Sequence, residues 1–218
     1  MAVGVALIAA SWFPAASGDV SSWETTVFRR INDLPDAFWA FLRVPMQLGS
    51  VAGSLAVVAV TLLVTRDRRL ALAALVGSQA AYWSARAVKE IVGRGRPAAL
   101  LPGVHLHEAV SGFGYVSAHT AVAFALAAAI APSFPRPARV AAVVLAGLVG
   151  FARISGGAHL PLDVVGGAGL GLVCGTAARL AFGVRYPSPS ASRSSHLPRE
   201  LAHSPGTRRS RRASRHAR

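Results

Sequence analysis

The chain reads as all-α: an integral membrane helical bundle of about six transmembrane helices, followed by a disordered basic tail. Three observations predict this. Of 218 residues, 53% are hydrophobic and only 15% charged. Long apolar runs alternate with short basic clusters, the pattern of a helical membrane protein rather than a soluble domain. The last stretch turns abruptly rich in Ser, Pro, Arg and His and has too few apolar residues to build a core.

In chain order, residues 1–43 form a first unit. Ala2 to Ala16 is short and apolar with no basic residues before it, so a first membrane helix fits better than a signal peptide. In Ser17 to Arg43, Trp23, Phe28, Ile31, Leu34, Phe38, Trp39 and Leu42 recur at near-helical spacing among charges, which predicts an amphipathic interfacial helix pair. Residues 44–183 form the membrane-embedded core. Val44 to Val64 is uncharged and long enough to span. Leu70 to Val92 is charged only near its end. Gly93 to Val116 is a Gly- and Pro-containing loop carrying His105, His107 and Glu108. Ser117 to Ala131, Val140 to Phe151 and Leu160 to Phe182 are the remaining apolar segments, the last rich in small residues that allow close helix approach. Residues 184–218 are the tail.

Net charge is +14, with a large share of it in the tail. No aromatic residues interleave with the tail arginines, which argues against nucleic acid as a partner. The tail is expected to lie along anionic lipid on the cytoplasmic face, or to be solvated. The single cysteine, Cys174, permits no intrachain disulfide, and no Cys/His spacing suggests a zinc site. Nothing in the sequence points to an oligomeric state. Alanine and arginine usage suggests a GC-rich bacterial source and hence a bacterial plasma membrane.

With six spans, the basic clusters Arg66–Arg69 and Arg136–Arg139 and the tail fall on one side, which the positive-inside rule makes cytoplasmic. Lys89, Arg94, Arg96, Arg153 and His159 then share the opposite side against that rule, which points to chemistry. Three segments supply the parts. Lys89 to Pro97 closes one span. Tyr115 to Thr120, with Ser117 and His119, opens the next. Arg153 to Asp163 joins the last two. His159 and Asp163 are one helical turn apart. An unpaired charge in lipid costs roughly 3 kcal/mol or more, so such a cluster is a functional candidate. The plainer reading is a structural Arg153–Asp163 pair with an interfacial histidine.

Clustered cations attract a multiply charged anion, and the fork of arginine matches phosphate. The helix opening at Ser117–His119 presents backbone N–H groups to the same anion. A histidine oriented by an aspartate is an activated nucleophile or base, and a second histidine can serve as the acid for a leaving oxygen. Arg94 reads as a headgroup contact. His105, His107 and Glu108 read as a solvated loop, Arg179 as a snorkelling side chain, and Arg86 as facing either Glu90 or the site.

The pattern Lys89-x6-Arg96-Pro97, Ser117-x-His119 and Arg153-x5-His159-x3-Asp163 resembles the type 2 phosphatidic acid phosphatase superfamily of membrane lipid phosphatases, which shares its site with bacterial acid phosphatases and vanadium haloperoxidases. The resemblance covers about Leu70 to Phe182. It implies that His159 is the nucleophile, forming a phosphohistidine, and that Asp163 fixes its tautomer. His119 would protonate the leaving group. Lys89, Arg96, Arg153 and Ser117, with the N–H near Ala118, would hold the phosphoryl oxygens. No metal and no cofactor are implied. Two departures stand out. The second motif usually reads Pro-Ser-Gly-His and here reads Val116-Ser117-Ala118-His119, and the third usually opens Ser-Arg and here reads Ala152-Arg153.

The expected function is therefore hydrolysis of a lipid phosphate monoester or pyrophosphate on the extracytoplasmic face. Candidate substrates are polyprenyl pyrophosphate, phosphatidic acid, phosphatidylglycerol phosphate and polyprenyl-linked sugar phosphates. The alternatives are a non-catalytic headgroup binder or transporter, or a vanadate-dependent haloperoxidase on the same constellation.

Overall fold

The computed structural model describes residues 1–184, and within them the chain is all-helical. The elements are α1 (Ala2–Ala16), α2 (Ser22–Asn32), α3 (Asp36–Met46), α4 (Val51–Thr65), α5 (Arg68–Val92), the short α6 (Pro97–Leu100), α7 (Ala118–Ile130), α8 (Arg136–Ser155) and α9 (Pro161–Ala181). The tail lies outside the described residues from 185 on.

Local chemistry sets the boundaries. Ser21 caps α2 by accepting from the Glu24 N–H, and the Asp67 carboxylate caps α5 by accepting from Arg69 and Leu70. Gly93, in the left-handed region at φ 64°, ends α5. Pro161 occupies the first turn of α9, where its missing N–H costs nothing.

Helix α7 is the centre of the bundle, packed on α5, α8 and α9. Gly167, Gly171 and Gly175 form a stripe on α9 laid directly on the α7 backbone. A Cβ on Gly167 would stand 2.5 Å from the Ser117 carbonyl oxygen, and those of Gly171 and Gly175 would collide with the Ala121 and Ala125 carbonyls. Small residues at this spacing allow backbone-to-backbone contact between helices. Arg179, expected to snorkel, is instead buried. It donates to the Ala129 carbonyl at 2.7 Å and to Ser133 Oγ at 2.9 Å, satisfying the C-terminal end of α7.

Among the described residues, two helices, Arg136–Ser155 and Pro161–Ala181, are long and apolar enough to cross a membrane. The run expected to span from Val44 to Val64 is broken. Asp36–Gly49 and Val51–Thr65 meet at 66°. Pro45 cannot donate a helical hydrogen bond, and Ser50 Oγ accepts from Gly53 N to start α4 afresh. Helix α5, at 25 residues, has the length but not the apolarity. At 15 and 13 residues, α1 and α7 are short. The expected count of six is thus not reached by length and apolarity alone. Leu63, Val64, Trp83, Val140, Val143 and Leu180 point outward and are exposed. So large an apolar surface marks contact with lipid, and the chain is a membrane protein.

Candidate active site

The ends of four helices meet at one end of the bundle. The C-terminal ends of α5 and α8 and the N-terminal ends of α7 and α9 bound a cavity of about 270 Å³, lined among others by Lys89, Arg96, Ala118, His119, Arg153 and His159. The basic turn at Arg66–Arg69 and the start of α8 lie at the other helix ends. Of the remaining residues singled out in the sequence, Ser117 and Asp163 are fully buried, behind the lining residues. Arg86 also faces the cavity.

His159 sits on the turn between α8 and α9. Its backbone N–H, and that of Ala158, donate to the Arg153 carbonyl at 3.2 and 3.1 Å. Two residues of the third motif are thereby locked together. The imidazole Nδ1 is 3.3 Å from Asp163 Oδ2. A carboxylate only accepts, so the proton resides on Nδ1 and Nε2 keeps its lone pair. Burial pushes the His159 imidazole well below its usual range, with the charges of Lys89, Arg153 and Arg96 adding to the effect. The ring is therefore held neutral.

Asp163 is bonded on every side. Oδ2 accepts from Leu160 N at 2.9 Å and Oδ1 from Arg94 at 3.1 Å. Its carbonyl accepts from Ser117 N at 2.9 Å, which ties the opening of α9 to that of α7. Ser117 caps α7, accepting through Oγ from the Thr120 N–H at 3.5 Å and the Thr120 hydroxyl at 2.9 Å. The N–H groups at the start of this helix give the cavity a partial positive end.

The cations are engaged by protein groups, most of them in the 93–116 loop. Lys89 Nζ donates to the Phe113 and Gly114 carbonyls at 2.9 and 2.7 Å. Arg96 donates to the carbonyls of Ser111, Gly112 and Ala158. Burial lowers the Arg96 guanidinium, and Arg153 beside it lowers it further. Arg153 pairs with Glu108. The plainer sequence reading, an Arg153–Asp163 pair, is thus not what forms.

Sequence reasoning misses three partners. Arg94, read as a headgroup contact, is 1% exposed and pairs with Glu24 and Asp163. Glu24, read only as a charge on an interfacial helix, is wholly buried. Glu108, read as part of a solvated loop, reaches Arg153, while His107 packs on Trp39 and bonds Asp36. Gly93 and Gly95 flank Arg94 and free the backbone to turn it inward, which is the signal available in the sequence. Among the described residues, no cluster of three His, Cys, Asp or Glu could hold a metal ion.

The family model of the PAP2 superfamily matches residues 69–186. This chain belongs to the PAP2 superfamily. No curated protein matches the sequence. Among solved structures, the crystal structure of Aquifex aeolicus LpxE is similar, with 25% identity over 73% of this chain and 96% of that one and a TM-score of 0.68. The first transmembrane PAP2-type phosphatidylglycerolphosphate phosphatase from Bacillus subtilis shares the fold, with 20% identity over 85% of this chain and 98% of that one and a TM-score of 0.69. The PAP2 membrane phosphatase fold thus accounts for the helical architecture, and the 69–186 match contains all three motifs.

Proposed function

We propose that this PAP2 protein hydrolyses a lipid phosphate monoester or pyrophosphate through a phosphohistidine, without a metal, on the extracytoplasmic face of a bacterial plasma membrane. The observation that carries the reading is that His159, bonded to Asp163, shares one cavity with His119 and with Lys89, Arg96 and Arg153. A six-span arrangement, with the bent α3–α4 pair as one crossing, puts Arg66–Arg69 and Arg136–Arg139 on the cytoplasmic side and the cavity opposite.

In the first step the Nε2 lone pair of His159 attacks phosphorus, forming an N–P bond as the bond to the leaving oxygen breaks. His119 gives that oxygen its proton, releasing a lipid alcohol from a monoester or a lipid monophosphate from a pyrophosphate. Positive charge on the phosphorylated imidazole is balanced by Asp163 across Nδ1–H. In the second step His119 takes a proton from water. The water oxygen attacks phosphorus, the N–P bond breaks and inorganic phosphate leaves. Lys89, Arg96, Arg153 and the α7 N-terminal N–H groups hold the equatorial oxygens, where charge accumulates. Ser117 contributes by capping that helix. Phosphatidic acid, phosphatidylglycerol phosphate, polyprenyl pyrophosphate and polyprenyl-linked sugar phosphates all present the required group. The arginine-rich tail would rest on anionic lipid at the cytoplasmic face.

The test is phosphate release by the purified protein in detergent, with EDTA present, against that substrate panel. Release that survives chelation and is abolished by His159→Ala supports the reading. A strict metal requirement, or turnover undiminished by His159→Ala, overturns it.

A further inference from the structure

Helix α2 does more than lie at the interface. Its inward stripe is Glu24, Phe28 and Asn32, one residue per turn, all fully buried. Phe28 packs on Ile154 and Leu160. Asn32 donates to the Ser155 carbonyl at 3.0 Å. The stripe therefore runs along the turn that carries His159. At its first position Glu24 is the end of a chain of bonded charges. Its Oε2 and Oε1 accept from Arg94 at 2.6 and 3.1 Å, and Oε1 also accepts from Leu162 N at 3.0 Å. The same Arg94 nitrogen that reaches Oε1 donates to Asp163 Oδ1. Asp163 Oδ2 meets His159. Neither Glu24 nor Arg94 lines the cavity.

The charges make sense only as a set. Arg94 alone would neutralise Asp163 and leave it a poor partner for an imidazole about to become positive. With Glu24 present, the three groups sum to one negative charge beside His159, the balance a phosphorylated imidazole requires. Burial at this depth without pairing would be costly for each group, and together they satisfy one another.

We infer that Glu24 and Arg94 are positioning residues for the reaction: a buried carboxylate from the N-terminal segment that, through Arg94, holds Asp163 in place and keeps its charge available to His159. This rests on the phosphohistidine reading. The other groups facing His159 are Lys89 from α5, Arg96 from the following loop, His119 from α7 and Arg153 from α8. They stay unchanged in the variants below.

The test compares Glu24→Gln, Arg94→Gln and the double variant with the wild type on the best lipid phosphate of the panel, reading kcat, KM and the acid limb of kcat/KM. Each variant is expected to lose about tenfold to a hundredfold in kcat, the scale seen when the outer partners that orient metal-bound histidines are removed, with KM little changed. Removing the negative charge of Glu24 makes His159 harder to protonate, so the acid limb moves to lower pH. Removing the positive charge of Arg94 moves it to higher pH. The double variant returns it to the wild-type position. Mere loss of packing would not give shifts of opposite sign that cancel. Wild-type kcat in the single variants, or shifts of one sign in both, overturns the inference. If the single variants fail to fold, the charge-balanced double variant decides: reduced kcat with an unmoved limb supports it, and wild-type kcat overturns it. The two readings fail separately. No phosphate release by the wild type, or release untouched by His159→Ala, sinks the phosphatase reading. Release that depends on His159 but is indifferent to Glu24 and Arg94 sinks only this inference.

Discussion

The backbone N–H of Ser117 donates to the carbonyl of Asp163 at 2.9 Å. One hydrogen bond thus joins the residue that caps α7 to the residue that orients His159. His119, two residues after Ser117, and His159, four residues before Asp163, open into the same cavity. Their relative placement is fixed by backbone rather than by flexible side chains.

Asp163→Asn is expected to keep the fold and lose activity. An asparagine at this position can still accept from Leu160 N. If it instead turns its NH2 toward His159, the ring must carry its proton on Nε2 and cannot attack. A loss of at least about a hundredfold in kcat follows, smaller than the full loss for His159→Ala. Steady-state phosphate release by the two variants, with circular dichroism as a check on folding, measures it.

Glu108 pairs with Arg153, the guanidinium that the proposed mechanism assigns to a phosphoryl oxygen. The Glu108 side chain is 28% exposed, so the pair is a partly screened one. Glu108→Gln should lower KM by about fivefold, the equivalent of about 1 kcal/mol, with little change in kcat. An unchanged or raised KM would show that the carboxylate supports the bound substrate instead.

The stripe of glycines on α9 leaves no room for a methyl group. Gly167→Ala would press on the Ser117 carbonyl at 2.5 Å, directly under the α7 cap. A loss of about 1–3 kcal/mol is expected for such overpacking, read as a lower Tm in detergent. Gly147→Ala is the control, because that position is helical and no atom lies within 4 Å of the added carbon.

As the proposed nucleophile, His159 should keep its neutral ring in mild acid. Its proton is lost at a lower pH than from a free imidazole, because burial and the neighbouring cations oppose the charged form. The neutral ring is present above that lowered value and disappears as pH falls through it. The acid limb of kcat/KM assigned to His159 should therefore lie below about 6.5. A limb at or above that value, unmoved by substrates of different phosphate acidity, would contradict the burial argument.

The elements legible in the sequence are those with a local signature. Asp67, Gly93, Ser117 and Pro161 mark helix ends by their own chemistry, and the three charged motifs stand out because each interrupts an apolar run at such an end. The bend at 47–50 is harder to see, since the whole run from Val44 to Val64 is uncharged and only Pro45 and the polar Gln47 and Ser50 mark the break. The partners of the charged groups are invisible for a different reason. Glu24 and Arg94 are 70 positions apart, and Arg153 and Glu108 are 45 apart. No periodicity links them, so a lone reading assigns Glu24, Arg94 and Glu108 to solvent or headgroup and gives Arg153 the wrong partner. Only the tertiary fold, which buries them together, makes each charge explain the other.

The family match begins at residue 69, yet the carboxylate that pairs most closely with Arg94 comes from residue 24. A minimal enzyme cut to the matched region would retain every motif residue and leave the guanidinium of Arg94 without its strongest counter-ion. On the inference drawn for Glu24, recognition by motif and the residues needed for catalysis have different borders in this chain. What stands at position 24 in a relative is worth reading before its activity is assumed.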